Sequence, residues 1–222
     1  MTKRMTMRLE HVDKSYTDVK VLDDVNLEIY SEELTLLTGP SGSGKTTLLN
    51  ILSSIDMPDE GAVYANGRDI SRISKRQREQ YRANNGQMFQ RSGLLGGLTA
   101  EENIAAMHDL SGILIDQEWV DYLVTELAIG GLMKKRISEV SGGQIQRISI
   151  VRALAHKPKL VFADEPTASL DTDSKHEVHQ LLRDVSQHGS SVLMVSHDEI
   201  SQQYADVIFH INSGKVSVLD KE

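Results

Sequence analysis

The N-terminal part of the chain alternates between apolar and polar residues, which is the pattern of half-buried strands. One alternating segment covers residues 5–12 and a second covers residues 21–30. Two such segments close together in sequence predict a small antiparallel β flap. The residues between them, 14–18, are polar and turn-like and carry one aromatic side chain, Tyr16.

Downstream, short continuous apolar runs alternate with segments of helical spacing, which is typical of a parallel sheet with crossover helices. Asn212-Ser-Gly214 separates the last two apolar runs and predicts a closing hairpin. Residues 45–54 predict a helix with one apolar side formed by Leu48, Leu49, Leu52 and Ile55. The predicted strands comprise residues 33–38, 62–66, 86–90, 159–163, 191–195, 207–211 and 215–219, and a further helix comprises residues 174–187.

The middle of the chain predicts helices only. Thr99-Ala-Glu-Glu102 is a capping-box pattern, and Pro158 follows the last segment of helical spacing. Residues 93–98 are apolar but broken by glycines, so they predict no regular element. We therefore expect a single α/β domain over residues 1–222, with a mostly parallel sheet and flanking helices, an N-terminal antiparallel β flap and a helical insert. Its core would comprise residues 1–90 and 157–222, and its helical subdomain residues 91–156.

The composition and charge of the chain exclude or disfavour several kinds of structure and partner. The chain of 222 residues is 39% hydrophobic and 25% charged, as in soluble globular proteins, and it has no cysteine, which excludes disulfides. The net charge of −8 argues against a nucleic-acid partner, and the basic segment 71–82 favours a solvated helix face over a nucleic-acid surface. We find no membrane-spanning run and no signal peptide, and expect a cytoplasmic chain whose membrane role comes through a partner.

The clearest functional motif is a P-loop, Gly39-Pro-Ser-Gly-Ser-Gly-Lys45-Thr46-Thr47. Its glycines allow successive N–H groups to point at phosphate oxygens. Lys45 is expected to reach the β- and γ-phosphates, and the Thr46 hydroxyl to bind Mg²⁺. The alternative is a flexible Gly/Ser turn, but the strand before the loop and the helix after it favour a phosphate site. The sequence thus predicts nucleoside triphosphate binding by Gly39, Pro40, Ser41, Gly42, Ser43, Gly44, Lys45, Thr46 and Thr47.

Two acidic residues end the apolar run 160–163, at the position where ligands collect in an open parallel sheet. Asp164 is suited to hold Mg²⁺, and Glu165 to polarise an attacking water. Two exposed acids at a strand end are the simpler alternative. The P-loop upstream favours the functional interpretation.

A second glycine-bearing loop, Ser141-Gly-Gly-Gln144, leads into a segment of helical spacing. Ser141 suits a helix N-cap, and Gly142 and Gly143 would expose first-turn N–H groups to a phosphate. Taken alone, a loop that only caps a helix is the favoured explanation, but the arrangement of several motifs along the chain overturns it.

His176 and His179 are three residues apart in the helix predicted for 174–187, a spacing that suggests a metal site. No third ligand is evident in the sequence. A solvated helix face is therefore the favoured interpretation of this pair.

Taken in order, these motifs resemble those of the ATP-binding-cassette (ABC) ATPases, over essentially the whole chain. Ser141-Gly-Gly-Gln144 is the specific mark, since other P-loop NTPases lack it, and Val140 stands where the family usually has leucine. The motifs that carry the resemblance are the P-loop at 39–47, Gln90, Ser141–Gln144, Asp164-Glu165, Ser169-Leu-Asp171 and His197.

The resemblance implies roles that spacing alone does not. Tyr16 would stack on adenine, Gln90 would approach Mg²⁺ and the attacking water, and His197 would contact the γ-phosphate. Asp171 would lie at the seam of a homodimer, in which Ser141, Gly142, Gly143 and Gln144 of one protomer close over ATP held by the other. The implied catalytic residues are Lys45, Gln90, Glu165 and His197, with ATP and Mg²⁺ as cofactors and Thr46, Gln90 and Asp164 as metal ligands.

Within the family, the short insert without heptads argues against the DNA-repair relatives, and the single cassette argues against the tandem translation factors. The absence of a fused span implies a separate membrane permease, which would hold the chain at the cytoplasmic face of the membrane. The permease's coupling helix would contact residues 90–98.

Residues 46–52, 57–61 and 162–171 are similar to those of the lipoprotein-releasing, macrolide-export, cell-division and haem-export ATPases. This resemblance implies an ATP-driven motor that exports or extracts an amphipathic molecule, with haem favoured on similarity alone. A non-transport ATPase that regulates a membrane or cell-wall machine is the alternative. A P-loop kinase or GTPase is disfavoured, because no guanine-reading Asn-Lys-x-Asp run occurs.

Overall fold

A computed structural model describes residues 3–89 and 92–219, except for the side chains of residues 107–111. Two β-sheets with flanking helices account for most of these residues. The strands are β1 (Met5–Tyr16), β2 (Val19–Tyr30), β3 (Leu34–Thr38), β4 (Glu60–Ala65), β5 (Arg68–Asp69), β6 (Gly86–Met88), β7 (Leu160–Asp164), β8 (Ser191–Val195), β9 (Val207–Asn212) and β10 (Lys215–Leu219). The helices are α1 (Lys45–Leu52), α2 (Lys75–Ala83), α3 (Ala100–Ser111), α4 (Gln117–Glu126), α5 (Gly142–Leu154), α6 (Thr172–Gln187) and α7 (Glu199–Tyr204), with 3₁₀ turns at Gly130–Leu132 and Ile137–Glu139.

The N-terminal strands form an antiparallel sheet of order β2-β1-β4-β5, which confirms the predicted flap. Alternate residues of β1 and β2 are buried, and Leu9 pairs with Leu27 on the buried face. The turn-like assignment of residues 14–18 is wrong in part. The strand continues to Tyr16, which pairs with Val19, because a two-residue turn suffices to close the hairpin.

The second sheet has the order β10-β9-β3-β8-β7-β6 and is parallel except for the antiparallel edge strand β10. Apart from the half-buried Thr38, every residue of β3, β7 and β8 is buried, which explains why their sequences are continuous apolar runs. Because β3 and β7 flank β8, the loops that follow all three strands meet at one edge of the sheet.

Each face of the parallel sheet packs on a separate core. One core contains α5 and α6 with the middle helices, and the other contains α1 and the antiparallel sheet. Successive β3 residues divide between them, with Leu36 in the first core and Leu37 in the second. Ile55, predicted on the apolar side of α1, is 39% exposed, because the helix ends at Leu52 and Ser54 adopts a left-handed backbone conformation.

The middle of the chain folds into α3, α4 and α5 with short connections. The predicted capping box is confirmed: the Glu102 amide donates to Thr99 Oγ1, and the Thr99 amide donates to Glu102 Oε2 at 2.7 Å. The Trp119 indole donates to Leu154 O at 2.9 Å, which joins α4 to α5. None of the helices described in residues 3–89 and 92–219 is long and apolar enough to cross a bilayer.

Candidate active site

The P-loop connects β3 to α1 in a backbone conformation that only glycines adopt readily. Gly39, Gly42 and Gly44 have φ values of 146°, 76° and 108°. A Cβ on Gly39 would lie 2.1 Å from the carbonyl oxygen of Ile211, and one on Gly44 would lie 2.8 Å from that of Val21. The glycines therefore serve both the turn and the close approach of neighbouring strands.

The start of α1 is arranged to receive an anion. No side chain of the described residues caps this helix, whose N-cap is Gly44, so its first N–H groups have no side-chain acceptor there. The Lys45 ammonium donates to the carbonyl oxygens of Gly39 and Pro40 at 2.8 and 2.7 Å, which holds it over the loop. Ser43 Oγ is buried and has no hydrogen-bond partner among the described residues. A phosphate would supply the acceptors that this loop lacks.

Asp164 and Thr46 place hard oxygen donors side by side next to the P-loop. Thr46 Oγ1 donates to Asp164 Oδ2 at 3.4 Å, and Asp164 is only 9% exposed. Burial raises the pKa of Asp164, and the nearby charge of Glu165 raises it further. The surroundings of Asp164 thus stabilise its negative charge poorly. A Mg²⁺ ion, which prefers oxygen ligands, would fit between this carboxylate and the Thr46 hydroxyl.

Glu165 and His197 face each other across the ends of the neighbouring strands β7 and β8. Glu165 Oε1 lies 2.7 Å from His197 Nδ1, and the Glu165 amide donates to Val195 O at 3.0 Å. Glu165 has a φ of 50°, a left-handed conformation that is uncommon outside glycine and that clusters at functional sites. Its side chain is mostly buried, whereas that of His197 is mostly exposed.

These groups line one cleft of about 720 Å³. The structure thus brings together the P-loop, Asp164, Glu165 and His197, which were predicted separately from the sequence. Val21 and Ala168 also line the cleft and were missed, because nothing in an alternating strand or a short turn marks either residue as part of a site.

Tyr16 lies beside the P-loop on the antiparallel sheet. Tyr16 is 45% exposed, and its hydroxyl donates to Asp56 Oδ2 at 2.5 Å. The Lys14 ammonium lies 5.2 Å from the ring centroid and also binds Asp56. Burial raises the pKa of the Tyr16 hydroxyl, Asp56 raises it further, and a hydrogen bond with Thr47 acts in the opposite sense. Lys14 and Asp56, which sequence reasoning missed, hold the ring in place.

Ser141 begins α5 in a second cleft. It forms a capping box in which the Gln144 amide donates to Ser141 Oγ at 3.4 Å and the Ser141 amide donates to Gln144 Oε1 at 3.0 Å. This cleft has a volume of about 360 Å³ and also contains Asp171. Within the described part of the chain it shares no lining residue with the P-loop cleft.

Asp171 caps α6, next to Ser141. Its carboxylate accepts from the Ser174 amide at 2.9 Å and from the Ser174 hydroxyl at 2.8 Å, and the first of these bonds is the main reason why the pKa of Asp171 is lowered. The Arg147 guanidinium donates to Ser174 Oγ at 2.6 Å. The starts of α5 and α6 are therefore joined.

Gln90 lies outside the described residues. The solvated face predicted for His176 and His179 is wrong, because α6 turns both rings towards α7 rather than to solvent: His176 Nδ1 lies 2.7 Å from the Tyr204 hydroxyl, and His179 is fully buried.

The sequence of this chain is similar to that of known proteins. The protein-family model described as ABC transporter matches residues 22–168. The macrolide export ATP-binding/permease protein MacB of Haemophilus ducreyi is 33% identical over 221 residues, which cover 96% of this chain and 32% of MacB. The ABC transporter ATP-binding protein YxdL of Bacillus subtilis is 37% identical over 217 residues, which cover 95% of this chain and 84% of YxdL. The chain thus spans about a third of the MacB relative and most of YxdL.

Solved structures confirm the α/β fold class. The dimeric structure of a post-hydrolysis state of the ATP-binding cassette MJ0796, bound to ADP and Pi, matches with a TM-score of 0.87 and 29% identity. That match covers 97% of this chain and 100% of MJ0796. A nucleotide-free ATP-binding cassette from an ABC transporter matches with a TM-score of 0.82 and 25% identity, over 98% of this chain and 92% of the other.

Proposed function

This chain belongs to the ABC transporter family and is an ATPase, and we propose that two copies of it clamp two ATP molecules and so drive a membrane permease. ATP would bind in the P-loop cleft of one protomer and be covered by Ser141 and its neighbours from the other. Hydrolysis would add charge repulsion between the products and reopen the dimer.

The observation that carries this proposal is the separation of the two clefts. The P-loop cleft contains Lys45 and Glu165, whereas Ser141 and Asp171 line the other cleft of the same chain. Because the two clefts share no lining residue among the described residues, we infer that the first-turn N–H groups at Ser141 serve the ATP of another protomer and that each cleft supplies half of a phosphate site. A head-to-tail pair of chains would complete both halves at once. The dimeric state of MJ0796 supports this arrangement.

Within one composite site, each charged or polar group has a proposed role in ATP hydrolysis. Lys45 and the N–H groups at the start of α1 stabilise the negative charge that develops on the phosphates, and Ser141 of the opposing chain adds a second helix end. Glu165 orients and polarises the attacking water, and His197 holds the carboxylate in place while it faces the γ-phosphate. Thr46, Asp164 and Gln90 are the proposed Mg²⁺ ligands. Mg²⁺ bound there would neutralise charge on the β- and γ-phosphates.

Adenine would be held by Tyr16. Lys14 lies over the Tyr16 ring, and the hydroxyl is tied to Asp56, so the ring is fixed before nucleotide binds. A fixed ring loses little conformational entropy on stacking. The remaining exposed part of the ring supports this role.

The permease would contact the segment 92–98, within a helical subdomain that we assign to residues 91–156. Leu95 of this segment is 58% exposed, and the Asn103 side chain accepts from its amide at 2.7 Å. The Arg152 guanidinium donates to the carbonyl oxygens of Ser92 and Gly93 at 2.5 and 2.9 Å. Arg152 lies near the end of α5, whose other end begins at Ser141, so a rigid helix joins the proposed permease surface to the proposed nucleotide clamp.

For the cargo, we propose an amphipathic molecule exported or extracted from the membrane, with the chain held at the cytoplasmic face by the permease. The name of the MacB relative, for macrolide export, supports the amphipathic class. Haem is favoured within that class on the sequence resemblance alone. No residue of this chain is proposed to touch cargo.

The decisive experiment is co-purification of the tagged chain from membranes, followed by an ATPase assay of the complex with macrolides, haem or lipopeptides. A transporter subunit predicts recovery of a membrane protein and turnover that rises with one cargo class. Lys45→Ala, which removes the phosphate contact, is the matched inactive control. Recovery of a membrane protein without any response to cargo would support the regulatory alternative, and recovery of none would contradict the proposal.

A further inference from the structure

Helix α6 is attached to the loop that carries His197 by side chains from its first turns. Lys175 donates to Asp198 Oδ2 at 2.5 Å. One turn further along, His179 reaches the same segment from inside the protein, through Ser201. The loop thus has both a partly buried and a fully buried connection to the helix that begins at Asp171.

The buried connection is a chain of three polar groups. His179 Nε2 lies 2.8 Å from Ser201 Oγ, which in turn lies 2.8 Å from Ser196 Oγ. None of these three side chains is more than 1% exposed. Ser196 Oγ also accepts from the Asp198 amide at 3.1 Å, so the chain of contacts ends on the peptide that follows His197.

The geometry at His179 defines one tautomer. Its Nδ1 lies 2.6 Å from the Lys175 carbonyl oxygen, which can only accept, so Nδ1 carries the proton. Burial lowers the pKa of the ring, which keeps it neutral. Nε2 is the nitrogen that faces Ser201 Oγ. A fully buried imidazole with both nitrogens engaged is a defined spacer between α6 and the loop.

We propose that His179 is a positioning residue for ATP hydrolysis: through Ser201 and Ser196 it sets the placement of His197 against Glu165 and makes the loop move as one body with α6. Because Asp171 begins the same helix, a shift at the proposed dimer seam reaches His197 by this route. The inference rests on the proposed role of His197. It adds a residue that none of the nucleotide motifs contains.

A packing role alone does not account for these contacts. An apolar side chain of similar size would fill the space beside the Tyr204 ring, whose centroid lies 5.4 Å from that of His179, without leaving any polar group of its own to satisfy. His197 itself is mostly exposed and has Glu165 as its hydrogen-bond partner among the described residues. Its orientation thus depends on the backbone of residues 196–198, which the buried chain of hydrogen bonds holds.

The test measures kcat and KM of the full chain in its membrane complex. His179→Leu is expected to lower kcat about tenfold with KM for ATP changed less than about twofold, since misplacement of a reacting group costs rate rather than ground-state binding. His179→Gln, whose amide reaches Ser201, should restore kcat to within about twofold of the wild type. If His179→Leu does not fold, Ser201→Ala, which removes only the hydroxyl, takes its place.

Two controls distinguish a positioning role of His179 from a general loss of stability. Val178→Ala removes a buried apolar side chain from the same helix and should lower the melting temperature without lowering kcat. In a His197→Ala background, measured by single turnover, His179→Leu should cause no further loss of rate.

An equal kcat loss in Val178→Ala, or an undiminished effect of His179→Leu without His197, would overturn the inference while leaving the ATPase dimer intact. Wild-type turnover in His197→Ala alone would instead refute the role proposed for His197, and the inference with it.

Discussion

Glu165 and His197 are joined by a hydrogen bond, with Oε1 2.7 Å from Nδ1. They follow β7 and β8, which pair in parallel so that Asp164 lies opposite Val195. The ladder thus fixes the offset between the two functional residues, and the left-handed backbone at Glu165 turns its side chain out of the sheet towards the P-loop cleft. The contact is a consequence of strand register rather than of sequence proximity.

Glu165→Gln tests the proposed general base. The amide keeps the volume and still accepts from His197, but it cannot take up a proton. We expect turnover to fall about 100-fold or more and an ATP-bound dimer to accumulate. Steady-state ATPase rates and size-exclusion chromatography with ATP measure the two effects. Glu118→Gln, in the exposed first turn of α4, is the matched control, and an unchanged rate in Glu165→Gln would remove Glu165 from its role.

Ser141→Arg tests the composite site. The long cation would block the face that covers the opposing ATP, so we expect turnover to be lost while each monomer still binds ATP. Fluorescent-nucleotide binding and ATPase assays distinguish the two. Ser74→Arg is a close control, because Ser74 also caps a helix in a capping box with a glutamine, so both variants lose about 1 kcal/mol of cap stabilisation. Loss of monomer binding in Ser141→Arg alone would mean that its cleft was assigned wrongly.

Features that depend on residues close together in sequence could be predicted, whereas contacts between residues far apart in sequence could not. The P-loop and Asp164-Glu165 are local motifs, in which a strand, a loop and a helix start fix the geometry within a few residues. Their meeting in one cleft depends on strand order, which the alternation of strands and helices only outlines.

The sequence pattern did not predict contacts between residues that are far apart along the chain. The bond between Tyr16 and Asp56 spans 40 residues, and the burial of His179 depends on Ser201, which lies on a helix of six residues that the pattern did not reveal. A histidine on a polar helix has no sequence mark that distinguishes a solvated position from a buried, fully bonded one.

Tyr16→Ala tests the adenine platform. Loss of a stacking ring is worth about 0.5–1.5 kcal/mol, so we expect ATP affinity to fall about 2- to 13-fold. Tyr16→Phe keeps the ring but loses the hydrogen bond to Asp56, and should bind ATP within about twofold of the wild type. Equilibrium titration of the monomer measures both. Equal affinities for Tyr16→Ala and the wild type would place adenine elsewhere.

Arg152→Met tests the link between the proposed permease surface and α5. Methionine fills much of the buried space but cannot donate to the carbonyl oxygens of Ser92 and Gly93. We expect the basal ATPase rate of the isolated chain to be retained and its stimulation in the permease complex to be lost. Arg136→Met, at an exposed residue just before the 3₁₀ turn Ile137–Glu139, is the control. Full stimulation in Arg152→Met would mean that the signal takes another route.

Asp164→Asn is expected to stabilise the nucleotide-free protein while abolishing Mg²⁺-dependent turnover. Burial and Glu165 raise the folded-state pKa of Asp164 above its ordinary value of 3.8, so the folded protein holds this proton more tightly than the unfolded chain. Stability therefore falls as the pH rises from 3.8 through the raised pKa, and the penalty remains in full above it. Asparagine carries no charge and escapes this penalty.

Thermal unfolding in Mg²⁺-free buffer measures the effect across the same pH range. At pH 7 the melting temperature of Asp164→Asn should exceed that of the wild type, by about 2–4 °C for each kcal/mol of penalty relieved, and the two should converge as the pH falls towards 3.8. Adding Mg²⁺ and ATP should raise the wild-type value more than that of Asp164→Asn, because ligand binding stabilises only the protein that holds it. Asp18→Asn, in an exposed turn, should follow the wild type throughout. A variant that is less stable than the wild type at pH 7 would mean that the Asp164 carboxylate is favourably paired in the folded protein, which contradicts a site built to receive a cation.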